Sequence, residues 1–204
     1  MAFTEFKNLG QVLRQYDIQY QKKNFLSFTP QQPPIRLVED IDFALNYVDY
    51  DASEIAICES LIYPVLVQVW KNFLDTLALH SHRTWQVDSA LTGIPDYLIS
   101  PLSKYGNTVV DIPILVAIEA KKDNFAEGWG QCAAEMVDAQ LANQNKNWTV
   151  YGVVSNGEQW EFATLQHAFF TQNIAAYSIF DLEKLYSVLY FVLGDCKKQL
   201  QINV

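Results

Sequence analysis

A chain of 204 residues that is 50% hydrophobic and 14% aromatic is neither disordered nor fibrous, and it has enough apolar material for one well-cored domain. Its formal net charge of -9 argues against a standing nucleic-acid surface, because backbone binding rests on Lys and Arg displacing counterions. Cys58, Cys132 and Cys196 are odd in number and far apart, which fits buried, reduced thiols of a cytoplasmic protein and not a disulfide framework.

Taken in order, the first helical stripe covers residues 4–20, where Phe6, Leu9, Val12, Leu13 and Tyr16 recur at helical spacing, as a packing helix or lid. Pro30 to Pro34, PQQPP, is the one linker-like passage, and residues 37–48 follow as a short helix with Phe43 and Leu45 available for burial. Residues 1–50 are therefore expected as a helical extension ahead of a domain spanning 51–204. Asp51 opens a helix through Ile55, Ile62, Leu66, Val69 and Phe73, with Glu54 at capping-box spacing from it. His80 and His82 flank Ser81 in a stretch that reads as a solvated connection, since two imidazoles without converging partners do not make a metal site. Thr84 to Leu91 alternates like a half-buried strand, with Asp88 on its polar face, and Thr92-Gly93-Ile94-Pro95 turns it into a strand beginning at Asp96.

Residues 100–111 lead to Ile112–Lys122, IPILVAIEAKK, an apolar run that ends in a carboxylate and two ammonium groups. It reads as a strand buried on both faces, on which Glu119 and Lys121 project together while Lys122 points the other way. Desolvating an acid and a base needs a partner, a metal or a reacting group. The Glu5-Phe6-Lys7 triplet has the same spacing but sits near a terminus where nothing supports a site. A helix follows over about 125–143, with Trp129, Ala133, Met136 and Gln140 along one face and Glu127, Gln131, Glu135 and Asp138 along the other. If the first stripe packs on the sheet, Gln131 faces solvent unless the helix start overhangs the site. Trp148 to Ser155 is a strong strand, and the Asn156-Gly157 turn returns it through Gln159 to Leu165. Residues 166–179 read as extended, and Asp181 caps a final helix to about Lys198 that is apolar on more than one face, which suggests a homodimer. The apolar stretch Leu185 to Leu193 is too short to span a bilayer, no signal peptide opens the chain, and a membrane protein is not expected.

Pro95-Asp96, then Glu119-Ala120-Lys121, then Gln131 on the following helix resemble the ordered motifs of the PD-(D/E)XK nuclease superfamily, and more narrowly the nuclease-like domain of type I restriction enzyme motor subunits. Two further stretches are similar to that domain. One is Glu54 ahead of Leu61-Ile62-Tyr63-Pro64-Val65-Leu66; the other is the GVVSNGEQWEF string of residues 152–162. The resemblance spans roughly residues 52–165. It implies an α/β fold, a restriction-endonuclease-like α/β/α sandwich around a mixed central sheet. It also implies Mg²⁺ or Mn²⁺ held by Asp96, Glu119 and the Ala120 carbonyl, with Lys121 orienting or deprotonating the attacking water. Glu54 would reach the metal through water or bind a second ion, and Gln131 would position Lys121 or the scissile backbone. Glu59 competes with Glu54, lying about 140° round the helix and nearer the apolar stripe. Register favours Glu54 and helix geometry favours Glu59. A lysine base requires a depressed pKa, which an apolar wall and a nearby cation would cause.

The function implied is a metal-dependent phosphodiester hydrolase acting on DNA, in a restriction or mobile-element setting, with the isolated acidic domain binding DNA weakly. The alternative is a catalytically silent nuclease fold that binds or scaffolds alongside a protein partner supplying the basic surface.

Overall fold

The computed structural model describes residues 2–84 and 93–202. Its centre is a mixed sheet in the order β1-β7-β6-β5-β4-β3-β2, with β8 pairing β6. The strands are β1 (Gln19–Lys23), β2 (Leu77–Ser81), β3 (Tyr97–Pro101), β4 (Val116–Ala120), β5 (Val150–Ser155), β6 (Gln159–Gln166), β7 (Phe169–Asn173) and β8 (Tyr177–Ser178). β4 runs parallel to β5, and β1 parallel to β7; the β2-β3, β3-β4, β5-β6 and β6-β7 pairs are antiparallel. Helices cover both faces, so the architecture is the expected α/β/α sandwich around a mixed sheet.

One face packs on α2 (Ile35–Tyr47), α3 (Glu54–Ile57), α4 (Tyr63–Trp70) and α6 (Leu182–Ile202), through Leu37, Ile41, Leu61, Val65, Leu189 and Val192 among others. The other face packs on α5 (Phe125–Ala142), and α1 (Leu9–Tyr16) lies over α5 in turn. α5 therefore has protein on both sides. The chain can approach so closely because of Gly130, where a Cβ would lie 2.6 Å from the Phe6 carbonyl oxygen and 2.7 Å from the Asn8 nitrogen. Phe3 and Phe6 are buried at this crossing, and Lys7 pairs with Glu127 at 2.7 Å, so the segment holding the Glu5-Lys7 triplet is tied to the domain.

Several elements differ from the sequence-based expectation, each for a local reason. The first helix is shorter than residues 4–20: Asp17 caps it in the left-handed region (φ 52), and the chain reverses into β1, a strand within the segment expected to be helical. In α2 the buried residues are Leu37, Ile41 and Ala44, while Phe43 is 60% exposed and rests on Tyr47. Ser53, not Asp51, caps α3, its hydroxyl accepting from the Ala56 N–H. Between α3 and α4 the helix widens into a π turn at Cys58–Ile62, just ahead of Pro64, which lacks the N–H that would bond back into the preceding turn. His80 is a buried member of β2, bonded to Ser100 Oγ at 3.0 Å, and not part of a solvated connection. The hairpin partner of β3 is thus β2; the strand expected at Thr84 to Leu91, with Asp88, falls on residues 85–92, outside the described residues. Leu185, Leu189, Val192 and Leu193 of α6 are buried within the chain, where the helix packs on α4 and β8, so its apolar character does not by itself call for a second subunit. Among the described residues no helix is long and apolar enough to cross a membrane.

Candidate functional site

β4 enters the sheet with Val116 and Ile118 on the α4 face and Ala117 on the α5 face. Alternation then turns Glu119 toward α5, and Lys121, just past the strand end, follows it. The pairing of Tyr97 with Ile118 brings Asp96, one residue ahead of β3, alongside the end of β4. There Asp96 Oδ2 accepts a hydrogen bond from the Ala120 N–H at 2.7 Å. The Lys121 N–H is bonded to the Ser155 carbonyl on β5, which fixes the turn out of the strand.

The Lys121 ammonium lies 2.8 Å from Glu119 Oε1 and 3.6 Å from Glu54 Oε2. Glu54 reaches across from the first turn of α3 and remains half exposed. The helix carboxylate that meets Lys121 is therefore Glu54; Glu59 lines a neighbouring groove with Ile55, Tyr63 and His82. Asp96, Glu119, Lys121 and Glu54 are brought to one rim of the sheet.

Gln131 sits differently. It is 5% exposed, buried instead of facing solvent, and its Oε1 has no hydrogen-bond partner among the described residues. Four residues on, Glu135 is 2% exposed and is hydrogen-bonded to Glu119. The sequence places Glu135 on the outer face of α5 because its pattern does not show the buried carboxylate of Glu119 toward which that face is turned. The usable signal was the row of Gln131, Glu135 and Asp138 on a helix whose first two turns hold two glycines, a mark of close neighbours on more than one side.

Electrostatics follow from this packing. Burial, then the negative charge of Asp96, pushes Glu119 up to about 7, with Lys121 pulling the other way. Complete burial, followed by the charge of Glu119, raises Glu135 well above the usual carboxyl range. Asp96 is raised by burial, against the Ala120 N–H, His82 and Lys121. For Lys121, burial acts to lower the pKa, but Glu119, Glu54 and Asp96 together outweigh it and the net shift is upward. As the site stands Lys121 is an ammonium. The depressed pKa expected of a lysine base is not what these surroundings produce.

A second omission from the sequence reading is His82. Its backbone N–H donates to the Asp96 carbonyl at 2.8 Å, its Nε2 lies 3.3 Å from Asp96 Oδ1, and its φ of 47 is in the left-handed region. Cys58 offers its sulfur within 4.8 Å of the His82 and Asp96 ligand atoms.

The donor set has the chemistry of a hard-cation site. Asp96, Glu119 and the Ala120 carbonyl are oxygen donors of the kind Mg²⁺ and Mn²⁺ take. Three carboxylates, Asp96, Glu119 and Glu54, face one ammonium; apart from the exposed His82, the rim carries an excess of negative charge that a divalent cation would relieve. The residues present fit such an ion.

No protein-family model matches the chain, and no curated protein matches its sequence. Among solved structures it is similar to a chain of the DrdV–DNA complex determined by cryo-EM, with a TM-score of 0.41 and 13% identity. The match covers 78% of this chain and 14% of that one, so this chain spans a small part of its length.

Proposed function

We propose that the chain is a metal-dependent phosphodiester hydrolase acting on DNA. The observation that carries the reading is the convergence of Asp96, Glu119 and Lys121, with Glu54, at one rim of the sheet. Asp96, Glu119 and the Ala120 carbonyl would hold a Mg²⁺ or Mn²⁺ ion, which when bound supplies an activated water and neutralises charge on the phosphoryl oxygens. Lys121, as an ammonium, orients the attacking water and stabilises the charge that develops in the transition state. Glu54 holds Lys121 from the solvent side, and Glu135, buried against Glu119, fixes its rotamer. Gln131 acts as a packing residue under the site. The acidic chain makes weak DNA contacts by itself and works with a protein partner that supplies cationic surface.

One observation favours the silent-fold reading: an ammonium clamped between two carboxylates, with a raised pKa, is also what a structural ion pair looks like. Calorimetry with Mn²⁺ and nicking of supercoiled plasmid, on wild type and Asp96→Asn, separate the two. Binding and nicking that are both lost in the variant support the hydrolase. Binding without nicking supports the silent fold, and absence of both in wild type removes the metal-dependent reading.

A further inference from the structure

We propose that Cys58, His82 and Asp96 form a second metal site, sharing Asp96 with the first, that takes a borderline transition-metal cation, Zn²⁺ in particular. The three residues come from separate segments: Cys58 from the π turn, His82 from the residue after β2, and Asp96 from the entry to β3. Their ligand atoms all lie within 4.8 Å of one another, and His82 Nε2 is 3.3 Å from Asp96 Oδ1. With Zn²⁺ bonds of about 2.0–2.3 Å, the ligands of a tetrahedral ion stand about 3.3–3.8 Å apart, so a small inward movement closes the set.

The donors differ in kind from the neighbouring oxygen cluster. A thiolate and an imidazole discriminate against Mg²⁺ and in favour of Zn²⁺ or Co²⁺. The histidine is also oriented for the task. Ser81 Oγ lies 2.9 Å from its Nδ1, leaving Nε2 aimed at Asp96, the arrangement by which outer partners fix the tautomer of a ligating histidine. An open groove of about 300 Å³, lined by Ile55, Glu59, Tyr63 and Ser81 as well as Cys58 and His82, gives an ion access and leaves room for water as the fourth ligand. On binding, the Cys58 S–H bond breaks, its proton leaves to solvent, and the sulfur lone pair forms the metal bond.

Asp96 belongs to both clusters, so Zn²⁺ here would withdraw a ligand from the oxygen site. That corollary rests on the hydrolase reading; the Zn²⁺ site itself does not. The test is titration of the full chain with Co²⁺ as the probe, reading the thiolate-to-cobalt charge-transfer absorption. We expect saturation at one equivalent, loss of the band in Cys58→Ser, and binding weaker by about 10–100-fold or more in His82→Asn, whose side chain is exposed and whose backbone tolerates the left-handed region. Glu119→Gln, which disables the proposed hydrolase, should leave the band intact, so failure of one reading does not look like failure of the other. No charge-transfer band in wild type, a band that survives in Cys58→Ser, or full affinity in His82→Asn each overturns the site. Should Cys58→Ser not fold, the His82→Asn result decides.

Discussion

Asp96 Oδ2 takes its hydrogen bond from the backbone N–H of Ala120, so the carboxylate of one strand entry is pinned to the end of the strand that carries Glu119. Asp96→Asn keeps an acceptor for that N–H and removes the charge, while Asp96→Ala leaves the N–H unpaired. In urea unfolding the Asn variant should stay within about 1 kcal/mol of wild type and the Ala variant should lose a further 1–3 kcal/mol, roughly the cost of an unsatisfied donor. Both should lose Mn²⁺ binding. Equal stability of the two variants would show that the bond contributes nothing.

Glu119 and Glu135 bind protons more tightly in the folded chain than in the unfolded one. Each therefore contributes stability that is fully present below the unfolded carboxyl value and is lost as pH rises through the folded one. The thermal midpoint should fall as pH rises from about 5 to 7, the range over which the Glu119 share is lost, with Glu135 acting in the same direction. Glu135→Gln should flatten this profile. A midpoint that climbs across the same range would contradict the burial of these acids.

Gly128 sits over Lys121 at the start of α5. A Cβ there would lie 2.9 Å from Lys121 Cγ and 2.8 Å from Val154 Cγ1. Gly128→Ala gains about 1 kcal/mol of helix propensity, but overpacking costs about 1–3 kcal/mol and should win. Displacing Lys121 from Glu119 should also lower nicking by about tenfold or more. A variant that is more stable than wild type would mean the Lys121 stem yields freely.

The N-terminal crossing offers a contrast in magnitude. Lys7 and Glu127 form an ion pair in which Lys7 is 61% exposed, so Lys7→Ala should cost less than about 1 kcal/mol. Phe6 is buried against α5, and Phe6→Ala should cost about 3–5 kcal/mol. It should also admit water to Gln131 and Glu135, detectable as faster amide exchange in α5. Comparable losses for the two variants would place the energy in the charges instead of the packing.

Elements with a strong local code were legible in the sequence. The Glu119 strand, the α5 helix and the Asn156-Gly157 hairpin all appear at or near their expected positions. So does the pairing of Glu119 with Lys121, because strand alternation is a local rule. What escaped depends on contacts between distant segments. β1 has an exposed, Lys-bearing pattern and becomes a strand only because β7 is beside it. Glu135 and Gln131 looked solvent-facing because helical periodicity records that a face is polar and cannot record what packs on it; both are buried, and Glu135 is turned to Glu119. His82 and Cys58 are 24 residues apart, and only the β2-β3 pairing and the π turn bring them together.

Among the described residues β1 is the outermost ribbon on its side of the sheet, and its residues Gln19, Tyr20, Lys22 and Lys23 are exposed. Two adjacent ammonium groups on an unpaired border make docking of another molecule's backbone there electrostatically costly. A preparation of this chain should therefore resist templated, fibre-like self-association through that border even when concentrated.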